Sequence, residues 1–135
     1  MSVEADATIS GVPDDGMLGV VCRVDTARNS YYGFMIGADK RYSLVKVVEG
    51  KTSTLSEYYL QPNTIRGPGE ANHLRADCVG DTLTFIVNDQ KLVENHDGDL
   101  PSGSFGMIAS TGPSGKSAVD ATFTQISARP APTAA

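Results

Sequence analysis

Side chains alternate between apolar and polar along most of this chain, and that period of two constrains the fold more than any other feature. In "VEADATIS", Val3, Ala5, Ala7 and Ile9 share one face, while Glu4, Asp6, Thr8 and Ser10 share the other. Such a ribbon buries one side and wets the other, as a half-buried strand does. Nowhere does the 3.6-residue period of a helix persist.

The same pattern recurs down the chain. "MLGVVCRV" is apolar enough to predict a strand buried on both faces. "SYYGFMIG" aligns Tyr32, Phe34 and Ile36, and "RYSLVKVV" follows after the turn "ADK". "EGK" reads as a three-residue hairpin turn into the weaker strand "TSTLSEYY". After the Pro- and Gly-rich loop "LQPNTIRGPGEA", residues 72–94 read as a tight three-strand meander that turns at "GD" and again near "ND". "SFGMIAS" aligns Phe105, Met107 and Ala109, and "AVDATFTQIS" aligns Val119, Ala121 and Phe123. About ten short strands spaced roughly ten residues apart predict an antiparallel sandwich or barrel. Leu74, Leu83, Phe85, Phe105 and Phe123 are expected to point inward together.

One segment suggests something else. "ASTGPSGKS" ends in Gly115-Lys116-Ser117, as a phosphate-binding loop does, but Ser110 stands where the leading glycine belongs. Such a loop also needs a following helix whose N–H groups face the phosphates. Here the next residues alternate with period two, so the segment reads as a loop joining two strands.

The chain has 135 residues, enough for one domain with a core, and a formal net charge of −5. Binding to a nucleic-acid backbone is driven by clustered Lys and Arg, and the longest basic run is Lys40-Arg41. No apolar run is long enough to span a bilayer. "MSVEADATIS" has neither the basic nor the apolar region of a signal peptide, so the chain is expected to be cytoplasmic or a piece of a larger secreted protein. The two cysteines, Cys22 and Cys78, suit either buried thiols or one disulfide.

With the strands in place, three segments resemble the concanavalin A-like lectin/glucanase superfamily, in particular its bacterial branch of 3-keto-disaccharide hydrolase-like and laminin-G-like domains. The first is "GVVCRVDTARNSYYGFMIGADKRYSLVKVVEGK". The second matches the branch pattern Asn-x-Leu-Arg-x-x-x-x-Gly-x-x-Leu-x-x-x-Val-Asn-Gly through Asn72, Leu74, Arg75, Gly80, Leu83, Val87 and Asn88, with Asp89 in place of the last Gly. The third is "SGSFGMIASTG". The resemblance implies a jelly-roll-like sandwich of two antiparallel sheets, in one domain over residues 1–127; beyond it, the Pro/Ala-rich composition of "ARPAPTAA" at 128–135 predicts an extended, disordered tail. It implies a disulfide between Cys22 and Cys78, which sit where extracellular members often carry a cysteine pair. It also implies an extracellular or cell-surface setting within a larger bacterial protein.

Two departures bear on function. The chain is short at its N-terminal side relative to the branch, which would leave an open sheet edge suited to strand addition or a homodimer. Laminarinase-type glucanases carry Glu-x-Asp-x-x-Glu on one strand to set two carboxylates for retaining hydrolysis. Here Glu4-Ala5-Asp6 begins that pattern, but Ile9 stands at the second catalytic position.

A sandwich grips a sugar with exposed rings against its C–H face and polar groups on its hydroxyls. The sequence nominates Tyr31, Tyr42, Tyr58 and Tyr59 as rings, with Arg41, Arg66, Asn72 and His73 as polar partners. The turns "PDDG" and "HDGDLPSG" offer Asp14, Asp15, Asp97 and Asp99 as oxygen ligands for calcium, although Asp and Gly are also ordinary turn formers. No catalytic residue is assigned, since neither His73 nor His96 has a Ser or Cys nucleophile in a recognisable context. The leading expectation is a non-catalytic binding module that presents a sheet face to carbohydrate or protein. A structural or assembly domain and a hydrolase of a disaccharide derivative are the alternatives.

Overall fold

Ten strands form: β1 (Ser2–Ser10), β2 (Met17–Asp25), β3 (Ser30–Gly37), β4 (Arg41–Val48), β5 (Lys51–Leu60), β6 (Ala71–Val79), β7 (Thr82–Val87), β8 (Gln90–His96), β9 (Ser104–Ser110) and β10 (Asp120–Arg129). The structure, a computed structural model, describes residues 2–10, 17–37, 41–60, 64–65, 70–100, 103–110 and 120–129. Side chains at 9–10, 56–60, 109–110, 120–122, 125–126 and 129 lie outside that description. No helix occurs among the described residues. β10 runs to Arg129, two residues into the segment read as tail, and residues 130–135 lie outside the described set. Most of "ASTGPSGKS" lies outside it too, and the chain that follows from Asp120 is strand.

The strands build two antiparallel sheets, ordered β10-β1-β6-β7-β8 and β5-β4-β3-β2-β9. Alternation fixes which side faces inward, because a slip of one residue would turn every apolar side chain to water. On β1, Val3, Ala5 and Ala7 are buried, and on β6, Leu74, Ala76 and Cys78 are buried. Opposite them, β2 contributes Leu18, Val20 and Cys22, while β3 contributes Tyr32, Phe34 and Ile36. Phe85 sits at the centre, edge-on to Phe34 with ring centroids 5.7 Å apart and to Tyr42 at 6.5 Å. Burying a ring of this size stabilises by about 2–3 kcal/mol. The other face of β2 and β4 is also covered, with Met17, Val21, Val45 and Val47 all buried, which accounts for the continuous apolar run of β2.

Cys22 on β2 and Cys78 on β6 form a disulfide that ties one sheet to the other across a sequence separation of 56. Closing a loop of that length stabilises by about 4 kcal/mol in the chain-entropy account.

The turns are tighter than the sequence suggested at one place. Lys51 pairs with Val48, so the expected three-residue "EGK" turn is the two-residue Glu49–Gly50. Both residues have positive φ, 51° and 81°, as the hairpin turn that matches strand twist requires. Asn88 and Asp89 do the same between β7 and β8, at 49° and 67°.

Phe105 corrects an expectation. It lies 43% exposed on β9, beside Met107 at 45%. Met107 pairs with Val20, which puts it and Phe105 on the inward-facing side of β9, the last strand in the described order of its sheet, where both stay largely exposed. Of the five side chains expected inward, Leu74, Leu83 and Phe85 are fully buried and Phe123 is partly buried against the core.

Candidate functional site

The turn between β2 and β3 opens a groove of about 230 Å³, lined by Val21, Val24, Asp25, Thr26, Asn29, Ser30, Tyr31, Met107 and Ile108. Its polar wall is a built turn. Asp25 Oδ1 accepts the Arg28 N–H at 3.2 Å, and the Ser30 hydroxyl donates to the Arg28 carbonyl at 3.0 Å. The β4–β5 turn then braces it from the side. Gly50 N–H donates to the Asn29 carbonyl and Glu49 N–H to Ser30 Oγ, both at 3.0 Å. The floor is apolar, supplied by β2 and β9.

Tyr31 stands at the edge of this groove on the outer face of β3, half-buried. Its neighbour Gly33 gives it room. A Cβ at Gly33 would lie 3.6 Å from Tyr31 Cε2 and 3.0 Å from Val45 Cγ2. A half-exposed ring over an apolar floor, with a carboxylate, a hydroxyl and an amide on the rim, is an arrangement that stacks on a C–H face and hydrogen-bonds hydroxyls.

The other nominated residues do not gather around Tyr31. Arg41 is exposed at the far end of the β3–β4 hairpin, since Tyr31 pairs with Val47 and Ile36 with Tyr42. Tyr42 is no exposed platform: it is 4% exposed in the core, with its hydroxyl donating to the Leu92 carbonyl at 3.3 Å. Burial follows from pairing with Ile36, whose side of β3 faces the other sheet. Tyr58 and Tyr59 are placed on β5 with side chains outside the described set, and Arg66 is outside it altogether. Asn72 is on the other sheet and 1% exposed, accepting a hydrogen bond from Asn88 Nδ2 at 2.9 Å. The groove residues Asp25, Thr26 and Asn29 were hidden in "DTARN", which reads in sequence only as a polar connection.

His73 forms a second polar site, on the outer face of β6. Its register with β1 sets it opposite Asp6, with Arg75 opposite Glu4. Nδ1 lies 2.7 Å from Asp6 Oδ1, and Nε2 lies 3.1 Å from Glu4 Oε1. Partial burial alone would lower the imidazole pKa, but hydrogen bonds to Asp6 and then Glu4 outweigh it and raise the pKa above 6.5. Arg75 meets Asp77 through two 3.0 Å bonds beside this group. The two carboxylates that begin the glucanase-like pattern are therefore engaged with an imidazole.

Asp97 and Asp99, two of the four carboxylates nominated for calcium, both reach the Lys46 ammonium, at 2.9 and 2.7 Å. Tyr32 donates to Asp97 Oδ1 at 2.5 Å and accepts from Leu100 N–H at 3.1 Å. Burial, together with the Asp97 carboxylate, pushes the Tyr32 phenol up to about 12. Arg23 also donates to the Leu100 carbonyl at 3.0 Å and to that of Cys78 at 3.1 Å. Together these contacts hold the loop after β8 against the end of the sandwich. Among the described residues no group of three or more His, Cys, Asp or Glu side chains is arranged to hold a metal ion. Asp14 and Asp15 lie outside those residues.

Two five-stranded antiparallel sheets packed face to face define a jelly-roll-like β-sandwich, a fold shared with several solved structures. The carbohydrate binding module CBM66 from Bacillus subtilis superposes with a TM-score of 0.76 at 21% identity, over 93% of this chain and 71% of that one. Sheep galectin-11, solved with glycerol, superposes at 0.65 and 14% identity, over 93% of this chain and 86% of that one. The GH43 protein BlXynB from Bacillus licheniformis matches at 0.67 and 18% identity, over 90% of this chain but 26% of its own length. No protein-family model matches the chain, and no curated protein matches it.

Proposed function

We propose that this chain is a non-catalytic, extracellular binding module that holds a carbohydrate in the groove beside Tyr31. The observation that carries this is the pairing of the Tyr31 ring with the polar rim of Asp25, Thr26 and Asn29 over an apolar floor. The names of two similar structures, a carbohydrate binding module and a galectin, support it. The Cys22–Cys78 disulfide supports the extracellular setting, because such bonds persist in oxidising compartments. Against hydrolysis of a disaccharide derivative stands the engagement of Glu4 and Asp6 with His73, together with Ile9 at the second catalytic position.

Glycan-array screening followed by calorimetric titration tests this. Tyr31→Ala is expected to weaken binding about tenfold, the loss of roughly 1.4 kcal/mol of stacking. Titrations run with calcium and with chelator, because Asp14, Asp15, Asp97 and Asp99 are the carboxylates the sequence nominates for that ion. Absence of glycan binding, or binding that Tyr31→Ala leaves intact, would overturn the proposal.

A second reading, assembly through a sheet edge, is favoured by the exposed apolar side chains of β9, Phe105 and Met107.

A further inference from the structure

Among the described residues that line the groove beside Tyr31, Asp25 alone carries a formal charge. Its carboxylate is half-buried at the end of β2. Oδ1 accepts the Arg28 N–H at 3.2 Å, and no other described residue bonds Oδ2. The two cations nearest in sequence are turned elsewhere. The Arg28 guanidinium lies 3.9 Å from Glu49, and Arg23 donates to the carbonyls of Leu100 and Cys78 at 3.0 and 3.1 Å. The groove therefore sets a negative charge, with one oxygen open to a ligand, beside an aromatic ring and an apolar floor of Val21, Val24 and Ile108.

We infer that the groove takes an amino sugar, a pyranose whose protonated amine meets Asp25. The inference rests on the carbohydrate reading and names the class of sugar. Three features select it. The carboxylate favours a cation, and the apolar floor strengthens that pairing by keeping water from one side of it. The Tyr31 ring attracts both an ammonium and the C–H face of a sugar, and an amino sugar offers the two together. The groove, at about 230 Å³, falls below the roughly 300–1,000 Å³ of sites for drug-sized ligands, so it has room for about one sugar ring. A lysine side chain brings the charge without a flat C–H face for Tyr31. A uronic acid brings a second carboxylate against Asp25, and the net charge of −5 repels it at longer range.

Calorimetric titration of the full chain uses a glucosamine tetramer, its N-acetylated counterpart and tetralysine, at a pH of about 6 where a sugar amine is protonated. The glucosamine tetramer is expected to bind about tenfold more tightly than either of the others, and raising salt from about 50 mM to about 500 mM should shrink that preference. Asp25→Asn keeps an oxygen for the Arg28 N–H but removes the charge, so it should abolish the preference over the N-acetylated tetramer, with circular dichroism and melting checked against the parent. Asp89→Asn makes the same change of net charge in the exposed β7–β8 turn and should keep the preference. Equal affinity for the two tetramers, or a preference that survives Asp25→Asn or is lost in Asp89→Asn, overturns this inference and leaves the carbohydrate reading standing. Tetralysine bound as tightly as the glucosamine tetramer overturns it as well. A chain that binds no glycan at all overturns both.

Discussion

His73 Nδ1 lies 2.7 Å from Asp6 Oδ1, joining β6 to β1 across the outer face of their sheet. Glu4 holds the other ring nitrogen at 3.1 Å, so the protonated ring donates to a carboxylate on each side. Neutral imidazole can satisfy only one of them.

The pH dependence follows from that arrangement. The folded pKa is raised above the ordinary 6.5. The stabilisation is therefore complete below about 6.5 and disappears as pH rises through the folded value. The ring is 40% exposed, so solvent screening limits the effect to about 1 kcal/mol or less. Thermal melts between pH 5.5 and 8.5 are expected to show a decline in melting temperature that His73→Gln removes, with Arg75 and Asp77 left in place.

Asp97 predicts the opposite slope at the acid end. Burial alone would raise its pKa, but hydrogen bonds from Tyr32 and Lys46 outweigh this and hold it below the usual 3.8. Its contribution is present above that value and is lost as pH falls through the folded one. Asp97→Ala removes an acceptor from both Tyr32 and Lys46, and a loss of about 2–3 kcal/mol in urea unfolding at neutral pH is expected. Tyr32→Phe should cost about 1–2 kcal/mol, because the Leu100 N–H loses its acceptor. Equal stability of parent and Asp97→Ala would show the loop after β8 to be held by other contacts.

The two phenylalanines on β7 and β9 should respond very differently to truncation. Phe85→Ala empties the centre of the sandwich and is expected to cost about 3–5 kcal/mol. Phe105→Ala removes a ring already 43% exposed and is expected to cost under about 1 kcal/mol. Paired denaturant melts decide it, and a large loss at Phe105 would mean that the ring is buried in solution.

Local patterns carried the strands and not their neighbours. Alternation in "TLTFIV" reveals both the strand and its buried face because a pleat and a one-sided core leave that mark on sequence. The same rule misplaced Phe105: its alternation marks the inward-facing side, but local alternation carries no information on whether another element covers that side, and Phe105 stays 43% exposed. Tyr42 shows a related limit. Residue type alone suggests an exposed ring, while its pairing with Ile36 turns it into the core. His73, Glu4 and Asp6 were each conspicuous alone, yet the β1–β6 register that joins them spans most of the chain and follows from no local signal. The groove beside Tyr31 depends on a turn, two strands and the edge strand β9 meeting, which no single segment announces.

β1 and β10 are adjacent antiparallel partners, with Ser2 set against Arg129. Two such Cα atoms lie about 5 Å apart. Both ends of the sandwich therefore emerge at one point, and a host protein can take the whole unit into a single surface loop without stretching either flank. By the same geometry a short linker could join the ends and new ones be cut at the Gly80 turn, giving a circular permutant expected to keep the groove intact.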